Sequence, residues 1–356
     1  MKKCLYNLAT DRARGLIANI IKVFLFILSV IYGLVVRALI FFCRFSSYRL
    51  DCKVVSVGNI TLGGTGKTSL VEFIAKYLKQ QGHKVVILSR GYKRKFTDYR
   101  LPITDYQTMG DEPYMLQMNL VDIPVIVDAD RIRSGNRAIS DYGADTVIFD
   151  DGLQQWRIKK DLEIVTIDAT NPLGNRYLLP RGILRQPLSS LKRADVFVLT
   201  KTNLNADIDD IKDTLNRLNP SGIIIESIHQ PSRFYNINKP DELFDTEILK
   251  GKTVTLFSGI GDPDSFENLI INLGVKIGLS FRFDDHHNYT RQDLDKLIKG
   301  SKDKNIDTII TTQKDAARLY ELRLATLDLR LLVLRVELVI KDEQKFCNRL
   351  LSLYSL

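Results

Sequence analysis

Two short groups of residues carry the chemistry this sequence can perform. In Gly63-Gly64-Thr65-Gly66-Lys67-Thr68, the glycines remove side chains where backbone N–H groups can close on phosphate oxygens. Lys67 is spaced to reach β- and γ-phosphates, and the Thr68 hydroxyl can ligate Mg²⁺. About eighty residues on, Thr146 to Asp151 is an apolar run ending in Asp150 and Asp151. Carboxylates suit that place because Mg²⁺ is hard and takes oxygen ligands. Either group alone is suggestive; the pair reads as a phosphate-binding loop with a Walker B strand, and hence as use of ATP.

Strands and helices must hold these residues in place. Val54, Val55 and Val57 form a buried strand before the loop. Leu70, Phe73, Ile74, Tyr77 and Leu78 recur at helical spacing after it, giving a helix with one apolar face and its N-terminus toward the anion. The strict loop pattern would have glycine where Thr61 stands, so only Gly66-Lys67-Thr68 matches its second half. Thr61, Gly63, Gly64, Thr65, Gly66, Lys67, Thr68 and Ser69 are the candidate nucleotide-binding residues. Leu62 stands where some deviant loops carry a second lysine, which disfavours that branch.

Further strands are expected at Lys84–Ser89, Ile123–Val127, Glu163–Asp168, Val196–Thr200 and Ile223–Ile228. Their alternation with helices predicts an α/β fold of P-loop NTPase type, a mostly parallel sheet flanked by helices. Ligands bind at the C-terminal edge of such a sheet. That edge receives Arg90, Gly91 and Tyr92, followed by Lys93 to Lys95, and later Asp128, Asp130 and Arg131. The basic cluster with one aromatic suits a phosphorylated substrate. Asp168 to Pro187 is too long for a simple connection, and loops of that length are usually functional. In Gly110-Asp111-Glu112-Pro113, two acids before a proline more often make a helix N-terminus than a catalytic base.

The sequence divides into residues 1–46, an apolar and basic membrane-associated helix; 47–230, a P-loop core; and 231–356, a smaller α/β lid domain entered through a linker at 231–250. The last domain carries Asp284-Asp285-His286-His287 at a strand end, half of the four histidines. With no Cys at ligand spacing, an acid/base or orienting role fits better than a metal site.

The net charge of +9 is uneven: residues 1–50 hold eight Lys or Arg against Asp11 alone, which is +7 of the total. Little basicity is left elsewhere, so nucleic acid is not the expected partner. The same fifty residues include Val23 to Val36, fourteen uncharged residues where a span needs about 20. A helix lying in the interface beside anionic lipid is expected; snorkelling of Lys22 and Arg37 would let Gly15 to Cys43 stretch into a span. The four cysteines make neither a C-x-x-C nor a cluster with histidine, which indicates a reducing compartment.

The assembled motifs VGNITLGGTGKTS, LSRGYKRK, GDEP, FDDGLQQ, DATNPLGNRYLLPRGILRQP, FSGIGDP, DDHHNY and TTQKDAARL resemble the tetraacyldisaccharide 4'-kinase family, inner-membrane enzymes of lipid A synthesis, over nearly the whole chain. The resemblance accounts for Thr61, since that family carries Thr or Ser there. It implies transfer of the ATP γ-phosphate to the 4'-hydroxyl of a lipid disaccharide 1-phosphate at the cytoplasmic face of the bacterial inner membrane, with no obligate protein partner. Residue by residue it implies Lys67 and Thr68 as phosphate and Mg²⁺ ligands, Asp150 and Asp151 as the metal carboxylates, and Asp111 as the base. His286 would be the partner of Asp111, brought to it by closure of the second domain. Arg90, Tyr92, Gln154 and Arg185 would contact nucleotide or substrate. The family commonly has Glu after that arginine, where this chain has Gln186. Two rival classes are a kinase of a soluble small molecule and a membrane-recruited switch ATPase acting through a protein partner.

Overall fold

The computed structural model describes residues 7–91, 109–204, 207–319 and 329–355. Tyr92 and the basic run Lys93 to Lys95 lie outside them. The chain forms two compact units: Met1–Arg90 with Leu120–Ile228 and Leu338–Leu356, and Gly91–Asn119 with His229–Glu337. The sequence reading drew each domain as one contiguous stretch. Instead the GDEP segment joins the second unit and the C-terminal residues join the first.

The first unit opens with helix α1 (Leu16–Phe45), 30 residues long and so about 45 Å at 1.5 Å per residue. It runs well beyond the fourteen-residue apolar core because the flanking turns remain apolar around their few charges; by length and composition it could cross a membrane. Leu25, Ser29 and Val36 are buried, while Ile20, Phe24, Ile27, Ile31, Leu34 and Phe42 are exposed. Only one narrow stripe therefore docks on protein.

There follow β1 (Lys53–Gly58), α2 (Lys67–Gln80) and β2 (Val85–Ser89). The chain then builds α3 (Asp111–Asn119) in the second unit. It returns as β3 (Val125–Val127), α4 (Arg131–Tyr142), β4 (Thr146–Asp150), β5 (Leu162–Asp168), β6 (Val196–Thr200) and α5 (Ile208–Leu218). The strand β7 (Ile223–Asn236) begins in this unit. The strand order is β7-β6-β5-β1-β4-β2-β3, and every pairing in it is parallel. Strand β1 lies between β4 and β5, so the loop after it emerges in mid-sheet, where the order of connection reverses and ligands bind. Leu70, Val71, Ile74, Ala75 and Leu78 bury the inner face of α2, the periodicity expected of an amphipathic helix on a sheet.

In the second unit the expected linker is instead structure. β7 continues through Pro231 to Asn236 and pairs antiparallel with β8 (Lys239–Phe244), Phe234 opposite Phe244 and Tyr235 opposite Leu243. The reason is burial: Phe234 is wholly enclosed in a core with Leu249, Leu256 and Ile310, and the two prolines stand outside the paired stretch Phe234–Asn236 or one step from the turn. Next come β9 (Thr253–Ser258), α6 (Pro263–Asn272), β10 (Lys276–Arg282), α7 (Arg291–Asp303), β11 (Thr308–Thr312), α8 (Gln313–Leu319) and β12 (Arg330–Ile340). The order β10-β9-β11-β12 is again parallel. A last helix, α9 (Glu343–Leu351), belongs to the first unit.

Candidate active site

Strand β1 ends in Gly58 and delivers Asn59, a fully buried side chain. Its amide donates to the Thr61 carbonyl at 2.8 Å and so fixes the start of the loop. Gly66 then turns left-handed, φ 77°, as the residue before α2. No side chain caps that helix and no acid sits in its first turn. Its open N–H groups and the dipole leave a site for an anion. A Cβ built on Gly63 or Gly64 would meet nothing within 4 Å, so the loop borders open space.

The threonines of the loop divide their roles. Thr65 is buried and its hydroxyl lies 2.7 Å from that of Thr166, while its carbonyl accepts from Thr200 at 3.2 Å. Its side chain anchors the loop to β5 and β6, and its backbone N–H is what it can offer a phosphate. Thr61 bridges to Leu184. Thr68 is buried at the head of α2, and Ser69 follows it, half-buried.

Lys67 reaches Asn59 Oδ1 at 3.2 Å and Asp151 Oδ1 at 3.7 Å. Arg185 grips the same pair: its Nη1 and Nη2 donate to Asp151 Oδ2 at 2.9 Å and Oδ1 at 2.7 Å, and Nη2 donates to Asn59 O at 3.0 Å and also to Asn59 Oδ1. Gln154 Nε2 adds a bond to Asn59 O at 3.2 Å. Burial acts to raise the Asp151 pKa, but Arg185, Lys67 and Arg131 outweigh it and bring it down to about 2. Asp151 also holds a left-handed backbone, φ 57°, a conformation that costs a non-glycine residue about 1 kcal/mol or more. Beside it, Asp150 ends β4 with Ser89 donating to its Oδ2 at 3.3 Å.

These residues fit Mg²⁺ and a polyphosphate. The donor set is a hydroxyl and two carboxylates, hard oxygens with too few carboxylates to enclose the ion, which leaves positions for phosphate oxygens and water. Among the described residues no group of three or more His, Cys, Asp or Glu could hold a metal by itself.

The loop carrying Arg185 is fastened on both sides. Leu62 N donates to Ile183 O at 2.8 Å and Arg185 N to Ile60 O at 2.7 Å, so it pairs with the phosphate-binding loop. On its other side Phe26 of α1 meets Tyr177 edge-on at 5.8 Å, and Arg181 bonds Asp11 at 2.8 Å. Gln186 is fully buried and accepts from Arg193 at 2.9 Å.

Arg90 stands exposed at the C-terminal end of β2. Asp130 caps α4 through Ile132 N and Arg133 N, Asp128 is held by Arg133 at 2.7 and 2.8 Å, and buried Arg131 donates to the carbonyls of Asp128 and Asp150. Burial lowers Arg131 to about 10 against the pull of the nearby aspartates. These three therefore build the edge from behind.

The second unit brings together Asp111 and His286. Asp111 begins α3, with Glu112 also in the first turn, a position that favours acids at a helix N-terminus. His286 follows β10 in a left-handed turn, φ 60°, its N–H bonded to Gly259 O at 3.0 Å. Its Nδ1 lies 2.7 Å from Asp111 Oδ2. The sequence reading required domain closure to join them; both belong to one unit, and they are joined without it. Sequence reasoning missed Asn59 in the first unit and Arg318 in the second, which contacts the same oxygen of Asp111 at 2.6 Å. Both lie in quoted motifs, at the edge where strands end, which was the signal available.

A family model described as tetraacyldisaccharide-1-P 4'-kinase matches residues 21–355. A tetraacyldisaccharide 4'-kinase of Halothermothrix orenii is 35% identical, covering 89% of this chain and 88% of its own. One from Elusimicrobium minutum is 36% identical over 84% and 82%. Among solved structures, LpxK of Aquifex aeolicus in complex with ATP superposes with a TM-score of 0.73 at 26% identity, covering 94% of this chain and all of that one.

Proposed function

Because the chain belongs to the tetraacyldisaccharide 4'-kinase family, we propose how its residues divide the work of that reaction. The protein is an ATP-dependent kinase of lipid A biosynthesis, transferring the γ-phosphate to the 4'-hydroxyl of a tetraacyl disaccharide 1-phosphate. Phosphoryl transfer needs positioning, neutralisation of charge and one group to accept the hydroxyl proton. The N–H groups of Gly63 to Thr68 and the ammonium of Lys67 bind the phosphates. Thr68, Asp150 and Asp151 would hold Mg²⁺, which when bound neutralises charge on the phosphates. Arg185, which neutralises Asp151 at 2.7 Å, is placed to trade that contact for phosphate, with Gln154 and Asn59 holding the loop.

In the second unit Asp111 takes the hydroxyl proton and His286 orients the carboxylate and shares the resulting charge change. Arg90 and Tyr92 contact nucleotide or lipid head group. The exposed apolar face of α1 beds in the cytoplasmic face of the bacterial inner membrane, its basic flanks against anionic lipid. Docking of Leu25 and Val36 on the protein supports a helix lying along the membrane surface.

The convergence of Lys67 and Arg185 on Asp151 at an uncapped helix N-terminus carries this reading. Incubation with ATP, Mg²⁺ and tetraacyl disaccharide 1-phosphate should give, by mass spectrometry, one added phosphate on the lipid, lost in Lys67→Ala. Phosphate release with no phosphorylated lipid would favour a switch ATPase.

A further inference from the structure

Asp315, at the start of α8, is completely buried, yet its carboxylate is fully engaged. Its Oδ1 accepts from Gly259 N at 3.0 Å, the Tyr289 hydroxyl at 2.8 Å and Arg318 Nη1 at 3.0 Å, and its Oδ2 from the Thr312 hydroxyl at 2.6 Å. Burial pushes its pKa up, and Thr312, Arg318 and Tyr289 oppose this. Three motifs of separate strand ends meet here. A Cβ on Gly259 would lie 3.0 Å from the Tyr289 oxygen and 3.2 Å from Asp315 Oδ1, so any side chain there would press on both oxygens.

Arg318 is one helical turn after Asp315, and its side chain is 1% exposed. Nη1 also donates to Gly259 O at 2.7 Å, which fixes the guanidinium plane. Its opposite edge presents Nε and Nη2 to Asp111 Oδ2 at 2.7 and 2.6 Å. Nη2 lies 3.4 Å from His286 Nδ1. Thus one rigid fork is anchored at its back on a buried aspartate and clasps the candidate base at its front.

We propose that Arg318, anchored by Asp315, is a positioning residue of the transfer reaction: it orients Asp111 and keeps it ionised for proton transfer. This rests on the reading of Asp111 as the base. The Asp111 side chain is only 12% exposed, so most of its solvating water is gone, and a buried carboxylate stays charged only with a partner. Arg318 supplies a permanent cation with two donors, which lysine cannot match in geometry. Asp111 is faced by Arg318 and His286; close by are Asp315, Asp285, 3.8 Å from His286 Nε2, and the Glu112–Lys314 pair at 2.8 Å. Of Arg318 and His286, only Arg318 keeps its charge at every working pH; the Lys314 charge is engaged by Glu112.

The full-length variants R318Q, R318K, Y289F and D111N would be compared for kcat, KM for ATP and lipid, the pH profile of kcat, and thermal melting. The expected result is an R318Q kcat lower by on the order of tenfold or more with KM for ATP nearly unchanged. The acidic limb of the profile moves to higher pH, and R318K recovers only part of the rate. Y289F removes one of the four donors to Asp315 and should move the same limb in the same direction, by less. A folded R318Q with wild-type kcat and limb, beside an inactive D111N, overturns the positioning role alone. An active D111N removes the base reading and this proposal with it. Should R318Q fail to fold, Y289F decides: a folded Y289F with an unmoved limb and rate overturns the proposal.

Discussion

The hydroxyl of Tyr32 donates to the backbone carbonyl of Arg185 at 2.8 Å, across 153 positions of sequence. One residue belongs to the apolar helix α1, and the guanidinium of the other grips Asp151 and Asn59 at the phosphate-binding loop. Gly33, beside Tyr32, lets Leu178 of the same loop approach: a Cβ there would sit 2.7 Å from Leu178 Cδ1. The apolar helix is therefore fastened to the strap that carries Arg185.

Tyr32→Phe deletes one hydrogen bond and leaves the ring, so it should cost about 1 kcal/mol of stability. Because the carbonyl freed belongs to Arg185, KM for ATP should rise by roughly up to fivefold. Thermal melting and ATP titration check this; unchanged KM would mean that the strap holds Arg185 without the helix.

Removal of Met1 to Ser46 should abolish flotation with anionic vesicles, since the exposed apolar face of α1 and most of the excess positive charge lie there. It should also lower the melting temperature, because Leu25 and Val36 are buried. A truncated protein that floats as before would place the membrane contact elsewhere.

Lys67→Ala and Thr68→Ala should each reduce kcat about a hundredfold or more, equivalent to about 2.7 kcal/mol of lost transition-state stabilisation. Neither should unfold the protein, as the Lys67 ammonium, among the described residues, reaches only Asn59 and Asp151 and Thr68→Ala removes just a hydroxyl and a methyl from a buried position. Near-normal kcat in either would contradict the assigned phosphate and Mg²⁺ roles.

Stability should respond to acid through Glu226. Hydrogen bonds from Lys212, at 2.6 Å, and Lys341, at 2.6 Å, hold its carboxyl below the usual range. With the folded value below the unfolded one, this contribution is complete above about 4.5 and is lost as pH falls through the lower folded value. Glu226→Gln should therefore be less stable at pH 7, by at most about 1 kcal/mol, with the gap closing in acid. Melting curves from pH 7 to 3 that stay parallel would contradict it.

The first unit was largely legible in the sequence because its strands are continuous apolar runs, such as Val196–Thr200, bounded by glycines and charges; both faces are buried, so pattern and structure coincide. The stretch Pro231–Pro240 misled because prolines dominate a local reading, whereas burial of Phe234 is decided by residues far along the chain. Lys67, Thr68, Asp150 and Asp151 could be proposed from the sequence because phosphate and metal chemistry restricts both type and spacing. Asn59, Asp315 and Arg318 could not, since local spacing records only the contacts within each motif, while those to Arg185, Tyr289 and Asp111 reach residues up to 207 positions away. Asp111 and His286 were paired by resemblance; membership of both in one unit came from the noncontiguous path of the chain.

In the proposed mechanism Asp111 and His286 act as one base, with Nδ1 and Oδ2 2.7 Å apart. Single-turnover and steady-state kcat for Asp111→Ala, His286→Ala and the double variant test it directly. Asp111→Ala should lower kcat strongly with little change in ATP affinity, His286→Ala should lower it less, and the double variant should be about as slow as Asp111→Ala alone. Losses that multiply in the double variant, or an Asp111→Ala protein that still phosphorylates the lipid at the normal rate, would contradict it.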